Sequence, residues 1–293
     1  MTLPLHDPAW LERMYNNRAL VPDYMDYLDR WAHDSAQVRV NLPCVLDVPY
    51  GSDAGETLDV FLPVRAQTAR VPVLVFIHGG YWRSLDKSDH SFVAPSFTQA
   101  GYCVVVVNYA LCPGTADVPV TVPSIVRQME KALAWVAQNI KEHGGDPSRI
   151  TVAGHSAGGQ LAAMLLTTLW PLLDRGLRDG LVRNALSISG LHDLEPIMYT
   201  PMYQSALHLT DQQVLLASPA RLPTPAQGML FCAVGAKESP EFLRQNQLMQ
   251  DAWGSHFVPR CQALVGLHHF SVLDALARPG HDLHQMALTL LRA

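Results

Sequence analysis

The chain has 293 residues, of which 48% are hydrophobic and 16% are charged. This composition excludes a disordered protein, because it supplies enough apolar surface for a packed core. The lysines and arginines number 21 against 26 aspartates and glutamates, which gives a formal net charge of −5. No excess of positive charge is available to bind a phosphate backbone, so we expect no nucleic-acid partner.

Cysteine usage and hydropathy predict the compartment. The five cysteines form no C-x-x-C pair, and Cys103 and Cys232 lie within apolar runs. This usage fits a reduced compartment better than a disulfide framework. Residues 1–7 lack the basic and apolar regions of a signal peptide, and the longest apolar stretch, residues 161–173, is too short to span a bilayer. We therefore expect a cytoplasmic protein that does not associate with membranes.

The first part of the chain predicts helices followed by a hairpin. Residues 7–35 carry aromatic and aliphatic side chains at offsets of three and four, which predicts helical segments with a break near Pro22. We assign residues 1–36 to this N-terminal helical segment. Residues 38–49 and 57–62 are instead rich in β-branched and alternating apolar residues, with a glycine-containing turn between them. They predict an antiparallel hairpin at a sheet edge.

From residue 73 onwards, short apolar strands alternate with helical segments. Such strands are typical of a parallel sheet buried on both faces. Residues 191–228 interrupt the alternation with five prolines and predict a small insertion or lid over the strand ends, where ligands bind in open α/β sheets. No repeat or linker divides residues 1–293, which we expect to form a single domain. The predicted strands are 73–77, 103–107, 150–153, 185–189, 229–234 and 260–265, and helices are predicted at 125–140 and 157–169.

A G-x-S-x-G pattern occupies residues 154–158, between a predicted strand and an apolar helix. In this context the pattern is typical of a serine nucleophile held above the sheet on a tight turn. The helix that follows favours negative charge at its N-terminus, and the Ala157 N–H can donate to the oxyanion that forms when Ser156 attacks a carbonyl. A capping serine in a glycine-rich turn is the alternative, but the strand, turn and helix all favour the nucleophile.

The sequence His-Gly-Gly-Tyr-Trp follows the strand at 73–77 directly, over residues 78–82. Two glycines at this place let the backbone approach a substrate and direct N–H groups into the site, as the second half of an oxyanion hole. A tight turn with an aromatic pair packed beside it is the alternative. We expect His78 to brace the loop by hydrogen bonding rather than to transfer protons.

A serine nucleophile of this kind needs a histidine and an acid, which follow it in the order acid, histidine. Glu238 comes directly after the strand at 229–234 and is the candidate acid, with Asp193 as its rival. His268 and His269 follow the last strand and cannot both face the site; we favour His269, partly on the resemblance given next. The other histidines lack the spacing of metal ligands, so we expect no metal site and no cofactor.

Taken together, these motifs resemble the arylformamidase (kynurenine formamidase) group of α/β-hydrolases, which is related to the hormone-sensitive-lipase-like esterases. The H-G-G-Y-W sequence is characteristic of that group, and further similar segments lie at residues 15–18, 21–23, 108–113, 189–196, 238–242 and 269–270. The resemblance implies an α/β-hydrolase fold, with a mostly parallel central sheet flanked by helices. It also implies a triad of Ser156, Glu238 and His269, with the backbones of Gly79, Gly80, Tyr81 and Ala157 around the oxyanion.

Two residues depart from the usual pattern of the group. Glu238 stands where an aspartate is common, and His268 replaces the aspartate that often precedes the catalytic histidine. The extra methylene of a glutamate changes the reach of the carboxylate, although the fold accepts either acid.

The expected reaction is hydrolysis of a small-molecule amide or ester through an acyl-enzyme, namely removal of a formyl group from an aryl amide such as N-formylkynurenine. A general short-chain carboxylesterase is the alternative, and a non-catalytic binding protein is a third hypothesis. The aromatic residues of the N-terminal segment suit either capping the site or contacting a second subunit in a homodimer. Candidate walls for the aryl ring are Tyr81, Trp82, Met202 and Tyr203.

Overall fold

The computed structural model describes residues 6–64 and 69–293. Its centre is an eight-stranded sheet with the strand order β1-β2-β4-β3-β5-β6-β7-β8. The pairs β1–β2 and β2–β4 are antiparallel, and all the other neighbours are parallel. The strands are β1 (Cys44–Pro49), β2 (Thr57–Phe61), β3 (Val71–Ile77), β4 (Cys103–Val107), β5 (Gly145–His155), β6 (Val182–Ile188), β7 (Met229–Gly235) and β8 (Arg260–Leu264).

Helices occupy most of the chain between and around the strands. None of the helices described is both long enough and apolar enough to cross a membrane. Short 3₁₀ helices lie at Lys87–Val93, Ile140–His143 and Pro219–Arg221. The α-helices are α1 (Pro8–Tyr15), α2 (Asn17–Leu20), α3 (Tyr24–Asn41), α4 (Ala94–Gln99), α5 (Val122–Asn139), α6 (Ala157–Thr167), α7 (Trp170–Leu173), α8 (Glu195–Met198), α9 (Pro201–Leu207), α10 (Asp211–Ala217), α11 (Pro240–Phe257), α12 (Ser271–Ala277) and α13 (Asp282–Arg292).

The sheet is buried on both faces, as its continuous apolar strands predict. Successive strand residues point to opposite faces, and Val73 and Val75 of β3 belong to one hydrophobic cluster while Leu74 and Phe76 belong to another. The first cluster includes side chains of α5, α6 and α11, and the second includes those of α3, α12 and α13. This layered arrangement confirms the predicted α/β-hydrolase fold, with the hairpin of β1 and β2 at one edge.

Two predicted elements extend at least two residues beyond the observed ones. Residues 38–43 do not form a strand, because α3 continues to Asn41 and the Leu42 N–H closes its last turn on the Val38 carbonyl. Strand propensity is weak where no cross-strand neighbour packs against the residue, and Val40 is 81% exposed. The N-terminal helical segment therefore extends five residues beyond 36.

The helix predicted at 157–169 is also shorter than expected. It ends at Thr167, after which a separate short helix, α7, begins at Trp170. The hydroxyls of Thr167 and Thr168 both donate back to the Met164 carbonyl, which lets side chains take the place of the next helical N–H donors. Pro171, in the first turn of α7, has no N–H with which to continue the earlier helix.

The N-terminal helices meet the 191–228 segment. That segment consists of α8, α9, α10 and a 3₁₀ turn. The Tyr203 hydroxyl in α9 donates to the backbone carbonyl of Tyr15 at the end of α1, over 2.8 Å. The ring of His6 contacts Glu195 of α8, with 3.0 Å between His6 Nε2 and Glu195 Oε1. The lid role of 191–228 and the single-domain organisation stay predictions.

Candidate active site

Ser156 lies on a sharp turn between β5 and α6. Its backbone angles, φ 56° and ψ −117°, fall in a region that non-glycine residues rarely adopt. A Cβ atom at Gly158 would lie 2.1 Å from the Ile77 carbonyl oxygen, and one at Gly154 would lie 2.0 Å from the Gly158 carbonyl oxygen. The two glycines of the motif are therefore required by close packing. The Ser156 N–H donates to the Ile188 carbonyl over 2.8 Å, which ties the turn to β6.

The loop of residues 78–82 passes directly beside this serine. A Cβ atom at Gly79 would lie 3.0 Å from the Cβ of Ser156. Gly80, Tyr81 and Trp82 all have positive φ angles, of 102°, 52° and 55°. Within the described parts of the chain, the backbone N–H groups of Gly79, Gly80, Tyr81 and Ala157 donate to no protein acceptor. Free backbone donors next to a serine hydroxyl can stabilise a negatively charged oxygen.

His78 braces this loop, as expected from the sequence. Its ring is fully buried, with Nδ1 2.8 Å from the Gly79 carbonyl oxygen and Nε2 3.0 Å from Asn108 Oδ1. The ring also stacks on that of Tyr109, with 4.3 Å between centroids. The Tyr109 hydroxyl donates to the carbonyls of His78 and Gly79. Because burial lowers the pKa of His78, the imidazole stays neutral near pH 7. Its single N–H therefore donates to either the Gly79 carbonyl or Asn108 Oδ1, and the ring acts as a support.

His269 forms a close pair with Glu238. His269 Nδ1 lies 2.6 Å from Glu238 Oε2, and both residues are buried. An ionised carboxylate can only accept hydrogen bonds, so Nδ1 carries the proton and Nε2 is the acceptor in the neutral ring. This is the tautomer that a general base needs in order to take a proton from a serine.

Ser156 and His269 line the same cavity. Among residues 6–64 and 69–293, the Ser156 hydroxyl has no hydrogen-bond partner. Catalytic hydrogen bonds are often long or misaligned before substrate binds and tighten in the substrate complex. One cavity is therefore lined by the Ser156 hydroxyl, the His269 ring and the backbone of Gly80 and Tyr81.

The rival candidates from the sequence face elsewhere. Asp193 accepts a hydrogen bond from Arg221 Nε over 3.0 Å. The ring of His268 turns towards the N-terminal segment, where Nε2 lies 3.2 Å from the Tyr27 hydroxyl. The structure thus places Glu238, rather than Asp193, against the imidazole of His269.

Ser189 is a functional candidate that sequence reasoning missed. Its hydroxyl donates to Glu238 Oε1 over 2.5 Å, and the Gly235 N–H donates to the same oxygen over 2.8 Å. One carboxylate oxygen is therefore held by these two donors while the other faces His269. Ser189 directly follows β6, at the carboxyl edge of the sheet where functional side chains collect. That position is the signal that could have identified it.

Ser189→Ala is expected to lower kcat by about ten- to a hundredfold, because a hydrogen bond to a charged group is worth about 1.5–3 kcal/mol. KM should change little, since Ser189 does not line the cavity. Steady-state kinetics on Ser189→Ala, alone and combined with Glu238→Gln, measure this effect. If Ser189 acts by positioning Glu238, Ser189→Ala lowers kcat little further in an enzyme that already carries Glu238→Gln. An equal loss in both backgrounds would assign Ser189 a separate structural role.

Two tyrosines form an aromatic wall of the cavity. The rings of Tyr81 and Tyr203 stack with 3.7 Å between centroids. Both hydroxyls donate to the carbonyl oxygen of Tyr15, over 2.7 Å and 2.8 Å, and one carbonyl can accept both because it has two lone pairs. Met202 lines the cavity beside them. The N-terminal segment thus fixes the two rings through a single backbone atom.

Trp82 does not line the cavity, contrary to the sequence prediction. Its side chain is fully buried in the hydrophobic core, and its Nε1 donates to Gln160 Oε1 over 3.1 Å. The left-handed backbone at Tyr81 and Trp82 sends their neighbouring side chains in different directions, so only the tyrosine ring reaches the substrate space.

The N-terminal segment supplies part of the cavity wall. The sequence left open whether this segment caps the site or contacts a second subunit. In the structure, Asn16, Asn17 and Arg18 line the cavity near α2, and Leu28 and Trp31 line it from α3. Capping of the site is therefore what the structure supports, and the homodimer stays a prediction.

His155, inside the G-x-S-x-G turn, also borders the cavity. Its Nε2 lies 2.8 Å from the backbone carbonyl oxygen of His269. Burial, followed by the nearby His269 ring, holds the pKa of His155 well below its usual range. The neutral ring therefore donates through Nε2 and helps to fix the backbone that carries His269.

Comparisons with known proteins agree with this geometry. The BD-FAE family model matches residues 58–189. Kynurenine formamidase from Danio rerio is 32% identical over 84% of this chain and 82% of its own length. Esterase LipQ from Mycobacterium tuberculosis is 35% identical over 50% of this chain and 35% of its own length. The crystal structure of a putative thioesterase from Silicibacter sp. tm1040 is also similar, with 30% sequence identity and a TM-score of 0.83. The match covers 97% of this chain and 99% of that one.

The names of the relatives indicate which reactions this protein family catalyses. Their names describe hydrolysis of a formamide or of an ester, and both reactions can be catalysed by a nucleophile, a base and hydrogen-bond donors that stabilise an oxyanion. The protein is therefore a hydrolase of a small-molecule formamide or ester. It belongs to the kynurenine formamidase family of α/β-hydrolases.

Proposed function

We propose that this enzyme removes the formyl group from an aryl formamide such as N-formylkynurenine, through a formyl-enzyme on Ser156. The observation that carries the proposal is that His269, which is hydrogen-bonded to Glu238, lines the same cavity as Ser156. The similarity to kynurenine formamidase from Danio rerio supports the choice of a formamide.

In the first step, the Ser156 hydroxyl attacks the formyl carbon while His269 Nε2 takes its proton. The carbonyl oxygen becomes negatively charged and is held by backbone N–H groups of the 79–81 loop and of Ala157. Glu238 stabilises the imidazolium that forms, because its carboxylate lies 2.6 Å from Nδ1.

In the second step, the C–N bond breaks and His269 gives its proton to the departing aryl amine. The formyl group stays on Ser156 as an ester. A water molecule then loses a proton to His269 and attacks this ester. The bond between the formyl carbon and the Ser156 oxygen breaks, His269 returns its proton to that oxygen, and formate leaves.

The stacked rings of Tyr81 and Tyr203 support an aromatic leaving group. Aromatic pairs favour offset stacking or edge-to-face contacts with a further ring, which adds affinity beyond the area that is buried. Because the formyl group is the smallest acyl group, it offers few contacts, and the enzyme distinguishes substrates mainly by the leaving group. We propose that the 191–228 segment covers this leaving group, since Met202 and Tyr203 belong to it.

A general short-chain carboxylesterase is the second candidate, favoured by the similarity to esterase LipQ. Three substrates separate the two functions: N-formylkynurenine, N-acetylkynurenine and p-nitrophenyl acetate. For a formamidase, we expect kcat/KM to be highest with N-formylkynurenine and to fall on addition of the single acetyl methyl. A higher kcat/KM with the nitrophenyl ester than with the formamide would favour the carboxylesterase instead.

A further inference from the structure

His268, the neighbour of the candidate base His269, uses its ring to cap a helical turn. The Phe270 N–H and the Ser271 N–H both donate to His268 Nδ1, each over 3.3 Å. In return, the His268 N–H donates to the hydroxyl oxygen of Ser271 over 2.9 Å. Such a reciprocal contact between two residues three apart is a capping box, which satisfies the free N–H groups at the start of a helix.

The capped turn contains His269. The Val272 N–H donates to the His268 carbonyl over 3.0 Å, so the first helical bond of this turn starts at His268, ahead of α12. His269 is then the first residue inside the turn, directly after its cap. The His269 carbonyl is held separately by His155 Nε2. The cap and the contact with His155 together fix the backbone from which the His269 ring projects.

The cap requires a neutral His268 ring with its proton on Nε2. Nδ1 accepts from two N–H groups and cannot carry a proton at the same time, whereas Nε2 lies 3.2 Å from the Tyr27 hydroxyl oxygen, to which it donates. His269 has the opposite tautomer, since its Nδ1 proton faces Glu238. Of two adjacent imidazoles, one therefore holds the backbone while the other can act as a base.

The surroundings of His268 keep its ring neutral near pH 7. Burial has the largest effect and lowers the pKa of His268, and although the nearby carboxylates oppose this shift, the pKa stays below its ordinary value. The capping form is therefore fully present above about pH 6.5, the ordinary pKa of a histidine, and is lost as the pH falls through the lowered pKa. The titratable groups around the ring are Asp23 and Tyr27 on the side of α3, Lys237 and Glu238 after β7, and His269 in the same turn.

We propose that His268 is a positioning residue for His269: its neutral ring caps the turn that carries the base, and protonation of this ring removes the cap. The inference rests on the role of His269 as the base in the proposed function, and it adds a second group whose protonation state controls the reaction. His268 is not among the described residues that line the cavity. We therefore expect it to act on kcat rather than on KM.

Two amide variants separate the cap from the other contact of the ring. In His268→Asn, the amide oxygen takes the place of Nδ1 and can accept from the same N–H groups, because asparagine is a favoured N-cap residue. In His268→Gln, the amide group takes the place of Nε2, so the contact with Tyr27 can form but the cap acceptor is lost. At pH 8, we expect His268→Gln to lower kcat by about fivefold, the usual effect of losing one N-cap, with KM unchanged. His268→Asn should recover most of this loss.

The pH profile is the readout that a merely structural role would not move. Each variant is compared with the unmodified enzyme from pH 8 to pH 4.5, so that the protonation of His269, which they share, cancels in the ratio of their kcat values. His268→Gln has no cap to lose, so its kcat should approach that of the unmodified enzyme as the pH falls. His268→Asn keeps its cap, so its kcat should come to exceed that of the unmodified enzyme by about fivefold. Both changes should have the midpoint at which the His268 ring titrates by NMR.

His281→Gln is the matched control. His281 Nδ1 caps α13 in a similar way, by accepting from the Leu283 N–H over 3.2 Å. The helix α13 carries none of the candidate site residues and does not line the cavity. The change therefore removes a histidine cap elsewhere in the fold. It should lower the melting temperature about as much as His268→Gln does, while its kcat stays that of the unmodified enzyme at every pH.

The outcomes separate this inference from the proposed function, because all rates are measured with both N-formylkynurenine and p-nitrophenyl acetate. An unchanged kcat in His268→Gln at pH 8 would overturn the positioning role, as would a loss that is the same at every pH. Should His268→Gln fail to fold, the ratio of His268→Asn to the unmodified enzyme at acid pH decides the question. If the formamide is inert but the ester shows the expected ratios, the positioning role stands and the formamidase proposal fails. If the formamide is cleaved and the ratios do not change with pH, the formamidase proposal stands and the positioning role fails.

Discussion

Ser156→Ala is expected to lower kcat by about a millionfold, because the members of a catalytic triad act as a unit. The change removes the hydroxyl oxygen on which the proposed formyl-enzyme forms and leaves the backbone donors in place. The turn should still form, since the strained angles at residue 156 are imposed by the close packing of Gly154 and Gly158. Pre-steady-state and steady-state rates with N-formylkynurenine and p-nitrophenyl acetate measure the loss.

The matched control for this change is Ser205→Ala. Ser205 is an exposed serine of α9, next to the cavity wall but outside the cavity, so its kcat should be unchanged. A Ser156→Ala enzyme that keeps its melting temperature and retains a tenth of the activity would rule out Ser156 as the nucleophile. Residual catalysis above the uncatalysed rate is still expected, because the oxyanion donors and substrate binding contribute about 10³–10⁴ without the triad.

Glu238→Gln is expected to lower kcat by about ten-thousandfold, the loss found when the acid of a serine-hydrolase triad becomes its amide. The amide keeps the shape of the side chain but no longer stabilises the imidazolium, and its NH₂ group can force the ring into the wrong tautomer. The two oxygens of Glu238 make this change informative, since one faces His269 Nδ1 and the other accepts from Ser189 and Gly235.

Asp193→Asn provides the comparison for the acid. Asp193 interacts with Arg221, and surface ion pairs of this kind contribute about 0–1 kcal/mol. We therefore expect Asp193→Asn to change kcat by no more than a few-fold. If Asp193→Asn lowers kcat more than Glu238→Gln does with the same substrates, then Asp193 is the acid that acts with His269.

The glutamate at position 238 reaches His269 because the loop after β7 is short and tightly held. The Glu238 N–H donates to the Gly235 carbonyl, and the Gly235 N–H donates back to the Glu238 carboxylate. This reciprocal contact folds the longer side chain back over its own turn. The extra methylene that separates glutamate from aspartate is thus taken up by the turn, and the carboxylate still meets Nδ1 at 2.6 Å.

Local sequence patterns predicted the layered fold well. The strand at 103–107 has the predicted bounds, and those at 73–77 and 229–234 lie within β3 and β7. A continuous run of apolar residues indicates a strand that is buried on both faces. Such a run can be recognised from the local sequence, without knowing which distant residues pack against it. The prediction failed at residues 38–43, because α3 continues to Asn41 and the β-branched Val40 in its last turn is 81% exposed.

Which side chains share the cavity was only partly open to prediction. Ser156 and the 78–82 loop stand out because a sharp turn and a close backbone approach require glycines at fixed positions, which leaves a local pattern. Ser189 leaves no such pattern, since a serine after a strand is common. Its contact with the Glu238 carboxylate arises because packing brings two distant parts of the chain together.

The sequence by itself determined the sheet, the sharp turn at Ser156 and the set of candidate acids and bases, because these depend on short-range periodicity and turn chemistry. Only the tertiary structure decided that Glu238 rather than Asp193 meets His269, and that Trp82 points into the core while Tyr81 meets Tyr203. The physical reason is that a side chain's partners are set by how separate elements pack. Packing brings together residues far apart in the chain, and no local pattern records which of them will meet.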